Sequence, residues 1–302
     1  MMNTLSMSSY SVREHLGPSH FTYVDAQGND QTFGFDYPQL MELHEFPARA
    51  RAEFGVTNIE TVQFQFKEGL DDPELDRFAQ ALTDSGVRLL NVAIDVGDLL
   101  AEDPTEDIAL LKKWILRFTA MGSVFVRVNP GSPFSPHHGE QPPASLVNAL
   151  KELGEFATAN GTRLLVENHG GPSSDPVWIS RLLDEVGKQH LGLLLDLGNF
   201  DALLQWAMAE FFGGTKPEGE PDLTTLYEGI EALADYAELV HVKAHEVRDD
   251  GSIGHIDLPK SLAILAAHGY DGPLTVEYEG NGGDPWAKSH RVLEVTRVAS
   301  TA

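Results

Sequence analysis

Eight short apolar runs, each closed by Gly, Pro, Asn or Asp and separated by amphipathic stretches, constrain this chain more than any other feature. They are TLSMSSYS from Thr4, IETVQFQF from Ile59, VRLLNVAID from Val87, SVFVRVNPG from Ser123, TRLLVENHGG from Thr162, LGLLLDLGNF from Leu191, ELVHVKAHE from Glu238 and GPLTVEYEG from Gly272. Helical text such as DPELDRFAQALTDSG and PASLVNALKELGEFATANG falls between them, with acidic or Pro starts and frequent Gly ends. Alternation of this kind is the α/β pattern. An open doubly wound sheet usually has about five to seven strands and often a Gly-rich first turn, and no G-x-G-x-x-G follows the first run here. The expectation is therefore an α/β chain folded as a (β/α)8 TIM barrel, with residues 1–302 forming one domain. Three stretches, near 17–36, 130–143 and 212–222, exceed ordinary connections and read as a hairpin insertion, a lid and a flexible loop.

Composition narrows the function classes. The 42% hydrophobic content supplies a large core and excludes the signature of disorder. A formal charge of −25, from 46 acidic and 21 basic residues, repels phosphate backbones and anionic lipid heads, so neither nucleic acid nor a membrane is an expected partner. Zero cysteines exclude disulfides, thiolate nucleophiles and Cys-bound zinc, which leaves carboxylate and imidazole as metal ligands. The N-terminal text lacks a secretory h-region and no run approaches about 18 apolar residues, so a cytoplasmic protein is expected, and association into a homo-oligomer is compatible with it.

In a barrel, alternate strand residues point into the lumen, and sites form at the C-terminal strand ends. With Leu165 inward, Glu167 and His169 follow it. The same parity places Asp196 on the sixth strand, His241, Lys243 and His245 on the seventh, and Glu277 and Glu279 on the eighth. Carboxylates converging on one apolar rim are costly unless they share a cation. Glu167, Asp196, His241 and Glu277 are thus expected to hold one divalent metal ion. Oxygen-rich ligands with one imidazole suit Mn²⁺ best, with Mg²⁺, Co²⁺ and Fe²⁺ also compatible and Zn²⁺ less so without thiolate. Lys243 could orient a substrate hydroxyl. Arg127 and Asn129, with Gln63 and Gln65, could reach substrate oxygens. For any one of these residues, an ordinary cap, ion pair or surface histidine is the competing explanation, most of all for His137 and His138 in the Pro-rich loop.

The strand-ending texts LSMSSYS, VENHGGPSSDPVWISRLLDEVG, LLLDLGNF, VHVKAHE and YDGPLTVEYEG, with the helix text EFPARARAEFGVTNIETVQF, resemble the sugar phosphate isomerase/epimerase superfamily of xylose isomerase-like TIM barrels over nearly the whole chain. The resemblance implies a small carbohydrate substrate and metal ligands at Glu167, Asp196, His241 and Glu277. It further implies that Glu167 and Glu277 act as an acid/base pair beside a metal-polarised carbonyl and hydroxyl. This chain departs from many members in having Asn199 three residues after Asp196, and Ala244 followed by His245 where an Asp often continues the seventh strand. Asn199, His169 and His245 are accordingly read as substrate-binding, with Lys243 and Arg127.

The functional expectation is a divalent-metal-dependent sugar isomerase or epimerase. The alternative is a metal-dependent lyase, dehydratase or deglycosidase acting on a keto-sugar or glycoside, with His169 or His245 as the base. A non-catalytic sugar-binding protein would keep the metal as a clip, and the acidic surface disfavours DNA repair endonucleases built on the same barrel.

Overall fold

The computed structural model describes residues 3–24, 30–130, 141–211 and 218–301. Eight parallel strands close into a barrel: β1 (Leu5–Ser8), β4 (Asn58–Val62), β5 (Arg88–Ile94), β6 (Phe125–Val128), β7 (Arg163–Glu167), β8 (Gly192–Asp196), β9 (Ala237–Ala244) and β10 (Leu274–Tyr278). β1 closes the ring by pairing with both β4 and β10. The hairpin expected near 17–36 is present as antiparallel strands β2 (Ser19–Val24) and β3 (Asp30–Phe35), set apart from the barrel. Residues 131–140 and 212–217, which hold most of the other two insertions and both His137 and His138, lie outside the described residues.

Helices α1 (Phe46–Phe54), α2 (Glu74–Ser85), α3 (Thr105–Ala120), α4 (Ala144–Ala159), α5 (Pro176–Val186), α6 (Asp201–Phe211), α7 (Thr224–Leu233), α8 (Leu258–Ala267) and α9 (Pro285–Ala299) connect and follow the strands. Their ends obey local rules. The Asp175 side chain accepts from Val177 N at 2.9 Å ahead of Pro176 in α5, and Gly86 takes φ 63° to end α2, a conformation that costs glycine little. α2 buries Leu75, Phe78 and Leu82, a spacing of three and four residues that makes one apolar stripe. Among the described residues, no helix is long and apolar enough to cross a membrane.

Two packed layers result. Outward-facing strand residues such as Val166, Leu193, Leu195, Val240 and Val242 join the helices in the main core. Leu90, Leu165, Leu194 and Leu239 form a separate cluster that fills the lumen. Leu165, Leu194 and Leu239 sit two residues before Glu167, Asp196 and His241, so the strand pleat carries those three groups into the same lumen one layer higher.

Two apolar runs end as strands earlier than their composition suggests. The first becomes a 3-10 turn at Ser9–His15, started by the Ser8 hydroxyl accepting from Tyr10 N at 3.2 Å. The second turns at Gln63–Gln65, where Gln65 Oε1 accepts from Thr61 Oγ1 at 3.0 Å and from Val62 N at 3.3 Å. Gln65 therefore braces this turn.

Candidate metal centre

Glu167 closes β7, Asp196 closes β8, His241 lies in β9 and Glu277 in β10. Asp196 and His241 are direct partners in the β8–β9 register, and Glu277 stands beside Lys243 across β9 and β10. The four side chains share one buried rim, with relative exposures of 1% for Glu167, 0% for Asp196, 3% for His241 and 5% for Glu277. His241 Nδ1 is 3.8 Å from Glu167 Oε1, 3.5 Å from Asp196 Oδ2 and 3.4 Å from Glu277 Oε2. Ligand atoms of Glu167, Asp196 and His241 all fall within 4.8 Å of one another.

Hydrogen bonding does not use up this cluster. Glu167 Oε2, Asp196 Oδ2 and His241 Nδ1 are buried, and none has a hydrogen-bond partner among the described residues. Arg127 Nε at 2.7 Å from Glu167 Oε2 and Lys243 Nζ at 2.9 Å from Asp196 Oδ2 are ion pairs without hydrogen-bond alignment. The charges do not balance either. Among the described residues the carboxylates Glu60, Asp95, Glu167, Asp196, Glu277 and Glu279 outnumber the cations that face them, Arg127, Lys243 and a protonated His241, so negative charge is in excess. Excess charge of this kind in a dry site calls for a further cation. Carboxylate oxygens with one imidazole nitrogen fit a divalent metal ion.

Electrostatics divides the carboxylates. Burial works to raise the pKa of Glu277, yet Lys243 and His241 hold its carboxyl well below the usual range. For Glu167, burial outweighs Arg127 and the neighbouring histidines, and its pKa rises. Burial disfavours a charged His241, but Glu277 and Glu60 hold its pKa well above the imidazole norm, so the pocket favours positive charge at this ring. Lys243 is likewise kept charged against burial by Asp196, Glu279 and Glu277.

Several residues brace this rim. Ser8 Oγ donates to Glu277 Oε1 at 2.9 Å. Asn199 Nδ2 donates to Glu167 Oε1 at 3.1 Å, while its Oδ1 accepts from Lys243 Nζ at 3.1 Å, so Asn199 ties one carboxylate to the ammonium. Lys243 Nζ also lies 3.1 Å from Glu277 Oε2 and 2.8 Å from Glu279 Oε2. Arg127 is anchored by Asp95 and by Asn129 Oδ1. Asn168 holds the Asp196 backbone from both sides, accepting from its N–H and donating to its C=O at 2.8 Å each.

A cavity of about 160 Å³ opens onto the cluster, lined by Tyr10, Phe64, Arg127, Glu167, His169, His241, Lys243 and Glu277 among others. Arg127, His169 and Lys243, expected from the sequence to meet a substrate, thus line the same cavity, and Asn199 contacts Glu167 and Lys243 without lining it. His245 is placed elsewhere. β9 ends at Ala244, strand parity ceases there, and His245 lines a neighbouring cavity with Nε2 3.4 Å from Gly198 O. Gln63 and Gln65 do not line the cavity at the rim.

Sequence reasoning missed Glu60. It sits in β4 at a register shift between Ile59 and Glu60, 2% exposed, and its Oε2 lies 2.9 Å from His241 Nε2. Asn91 Nδ2 donates to the same oxygen at 2.7 Å, and Thr275 Oγ1 donates to Oε1. The available signal was a lone carboxylate inside a short β run.

Fold and site together define an α/β barrel with an acidic, metal-competent rim at the C-terminal mouth of its strands. The chain belongs to the xylose isomerase-like TIM barrel family, whose model matches residues 48–295. Its fold is similar to that of an L-ribulose 3-epimerase at TM-score 0.67 and 15% identity, covering 99% of this chain and 95% of that one. A structure described as the IOLI protein with a binding zinc atom matches at TM-score 0.66 and 15% identity, covering 99% and 96%. D-allulose 3-epimerase from Methylomonas sp., in complex with D-allulose, matches at TM-score 0.64 and 15% identity, covering 98% and 97%. No curated protein matches the chain in sequence.

Proposed function

We propose that the protein is a divalent-metal-dependent isomerase or epimerase of a small sugar or sugar-like polyol, with Glu167 and Glu277 moving the proton beside a carbonyl. The observation that carries this reading is His241 Nδ1 set among oxygens of Glu167, Asp196 and Glu277 at 3.8, 3.5 and 3.4 Å. Family membership supports it, as do the D-allulose and the zinc of its structural neighbours. Manganese suits the set best, and Mg²⁺, Co²⁺, Fe²⁺ or Zn²⁺ can use the same four residues. When bound, the metal polarises a carbonyl and its adjacent hydroxyl, which acidifies the neighbouring C–H.

The chain's own groups handle the proton. Glu277, fixed by Ser8 at Oε1 and facing Lys243 from Oε2, is oriented to take it. Glu167, held from the other side by Arg127 and Asn199 and kept protonated by its burial, gives a proton of its own to the opposite face or to the next carbon, while the proton taken from the substrate stays on Glu277. The Lys243 ammonium offsets negative charge growing on a substrate oxygen. Tyr10 and Phe64, packed edge to face with ring centroids 5.9 Å apart, line the apolar side of the cavity.

Incubating metal-loaded protein with a panel of ketoses in D₂O should place deuterium beside the carbonyl of at least one, and Glu167→Gln or Glu277→Gln should abolish the exchange. Absence of exchange across the whole panel would overturn the proposal.

A second reading, a lyase or dehydratase acting on a keto-sugar or glycoside, is favoured by His169. Its Nδ1 is buried, has no hydrogen-bond partner among the described residues and belongs to a ring lining the same cavity, so it can take a proton next to a leaving group. Release of water or an aglycone, in place of epimer interconversion, separates the two.

A further inference from the structure

Taking the rim as a sugar site, as proposed above, we infer that its substrate is a neutral disaccharide or glycoside whose second, polyhydroxylated unit occupies a larger cavity beside the candidate metal centre. The cavity at the rim holds about 160 Å³, below the range of about 300–1,000 Å³ usual for small-molecule sites. A second cavity of about 570 Å³ adjoins it. The two meet at Glu279, which lines both and whose Oε2 lies 2.8 Å from Lys243 Nζ. A ligand that leaves its reacting unit at the rim and extends past Glu279 fills a volume of ordinary size.

The wall chemistry selects what extends there. Trp206 presents an indole whose buried Nε1–H has no hydrogen-bond partner among the described residues. Its ring meets His255 edge-on, with centroids 5.7 Å apart. An indole offers a sugar both a flat apolar surface for C–H groups and a donor for a hydroxyl. His245, Asn281 and Asp249 line the same cavity and supply donors and acceptors together, which suits hydroxyls that do both.

A phosphate or carboxylate in this position is disfavoured. Glu246, Asp249 and Glu279 all face the cavity, while Arg248 is already held by Glu220 at 3.1 Å and by Glu246 at 3.2 Å. Lys288 sits over the Tyr278 ring with its Nζ 5.5 Å from the centroid. Among the described residues two cations facing three carboxylates do not make an anion site, and a neutral polyol is the ligand that matches.

Calorimetry on the metal-loaded protein tests this with D-fructose and three disaccharides that end in fructose: lactulose, turanose and palatinose. At least one disaccharide should bind about tenfold or more tightly than fructose, the size expected of one ring contact with its hydrogen bond. Trp206→Ala should remove that gain and leave fructose binding unchanged, and Trp206→Phe should retain part of it. The inference falls if no disaccharide binds more tightly than fructose, or if Trp206→Ala weakens fructose and disaccharide equally. Deuterium exchange into fructose without any disaccharide gain overturns the second-unit site and leaves the rim proposal standing. Trp206-dependent disaccharide binding without exchange in any ketose does the reverse.

Discussion

Glu60 Oε2 lies 2.9 Å from His241 Nε2, so a carboxylate on β4 orients an imidazole on β9 and leaves Nδ1 directed at Glu167, Asp196 and Glu277. When a metal ion displaces the second proton of the ring, Nε2–H remains donated to Glu60 and Nδ1 becomes the lone-pair nitrogen that the ion requires. Replacing Glu60 should therefore act on metal affinity without touching a ligand. Glu60→Gln should weaken Mn²⁺ binding by about tenfold and Glu60→Ala by up to about 100-fold, with the far-ultraviolet circular dichroism unchanged. An unaltered Mn²⁺ affinity in Glu60→Ala would remove this role.

Metal removal should be visible in stability. A ligand present at 100 times its dissociation constant stabilises the folded state by about 2.7 kcal/mol. In a chain of this size that corresponds to a Tm rise of several degrees. EDTA should lower the Tm of the wild type by that amount. His241→Ala and Asp196→Ala should melt at the same temperature with or without EDTA. If both still respond to the chelator as the wild type does, the metal sits elsewhere.

Lys243 makes opposing demands on the site. Its ammonium lies within 3.1 Å of Asp196, Glu277 and Glu279, so it neutralises the rim and competes with a metal ion for the same charge. Lys243→Met should leave these carboxylates unbalanced and destabilise the metal-free protein by about 3–5 kcal/mol, the usual cost of breaking a buried ion pair. The same change should raise Mn²⁺ affinity and lower turnover by about 100-fold or more, because an oxygen developing charge loses its counter-ion. Denaturant titration with and without Mn²⁺ reads the first two effects. Weaker Mn²⁺ binding in the variant would contradict the competition.

Strand parity made the heart of this site legible and then failed at identifiable places. Along β7, β8 and β9 the pleat is regular near the rim, so inward Leu165, Leu194 and Leu239 correctly imply inward Glu167, Asp196 and His241. Between β4 and β5 the register shifts where Leu90 of β5 is passed over, and β4 itself gives way to a 3-10 turn at Gln63. The sequence pointed to Gln63 and Gln65 as neutral hydrogen-bonding groups of this run and passed over Glu60, a lone carboxylate in the same run. His245 lies one residue beyond the end of β9, so parity along the strand does not carry it to the rim, and it lines the adjoining cavity instead. The Asp95–Arg127 pair and the Ser8 contact to Glu277 depend on loops and on strands distant in sequence, which periodicity does not encode. The second cavity arises where the segment after β9, the segment after β10 and α6 face one another, and no single run of sequence announces it.

The lumen leucines couple the stability of the barrel to the geometry of the rim. Leu194 is 0% exposed and packs with Leu90, Leu165 and Leu239 in a cluster separate from the main core, two residues below Asp196. Leu194→Ala removes a side chain from a layer enclosed on all sides by strands, where little can collapse inward to refill the space. It should cost about 2–5 kcal/mol in urea unfolding. Val177 is 55% exposed on α5, so Val177→Ala should stay within about 0.5 kcal/mol and serves as the comparison. The strand that loses this support also positions Asp196, so Leu194→Ala should weaken Mn²⁺ binding as well, whereas Val177→Ala should not. Loss of stability in Leu194→Ala with Mn²⁺ affinity fully retained would show that the barrel rim holds its geometry independently of the leucine layer beneath it.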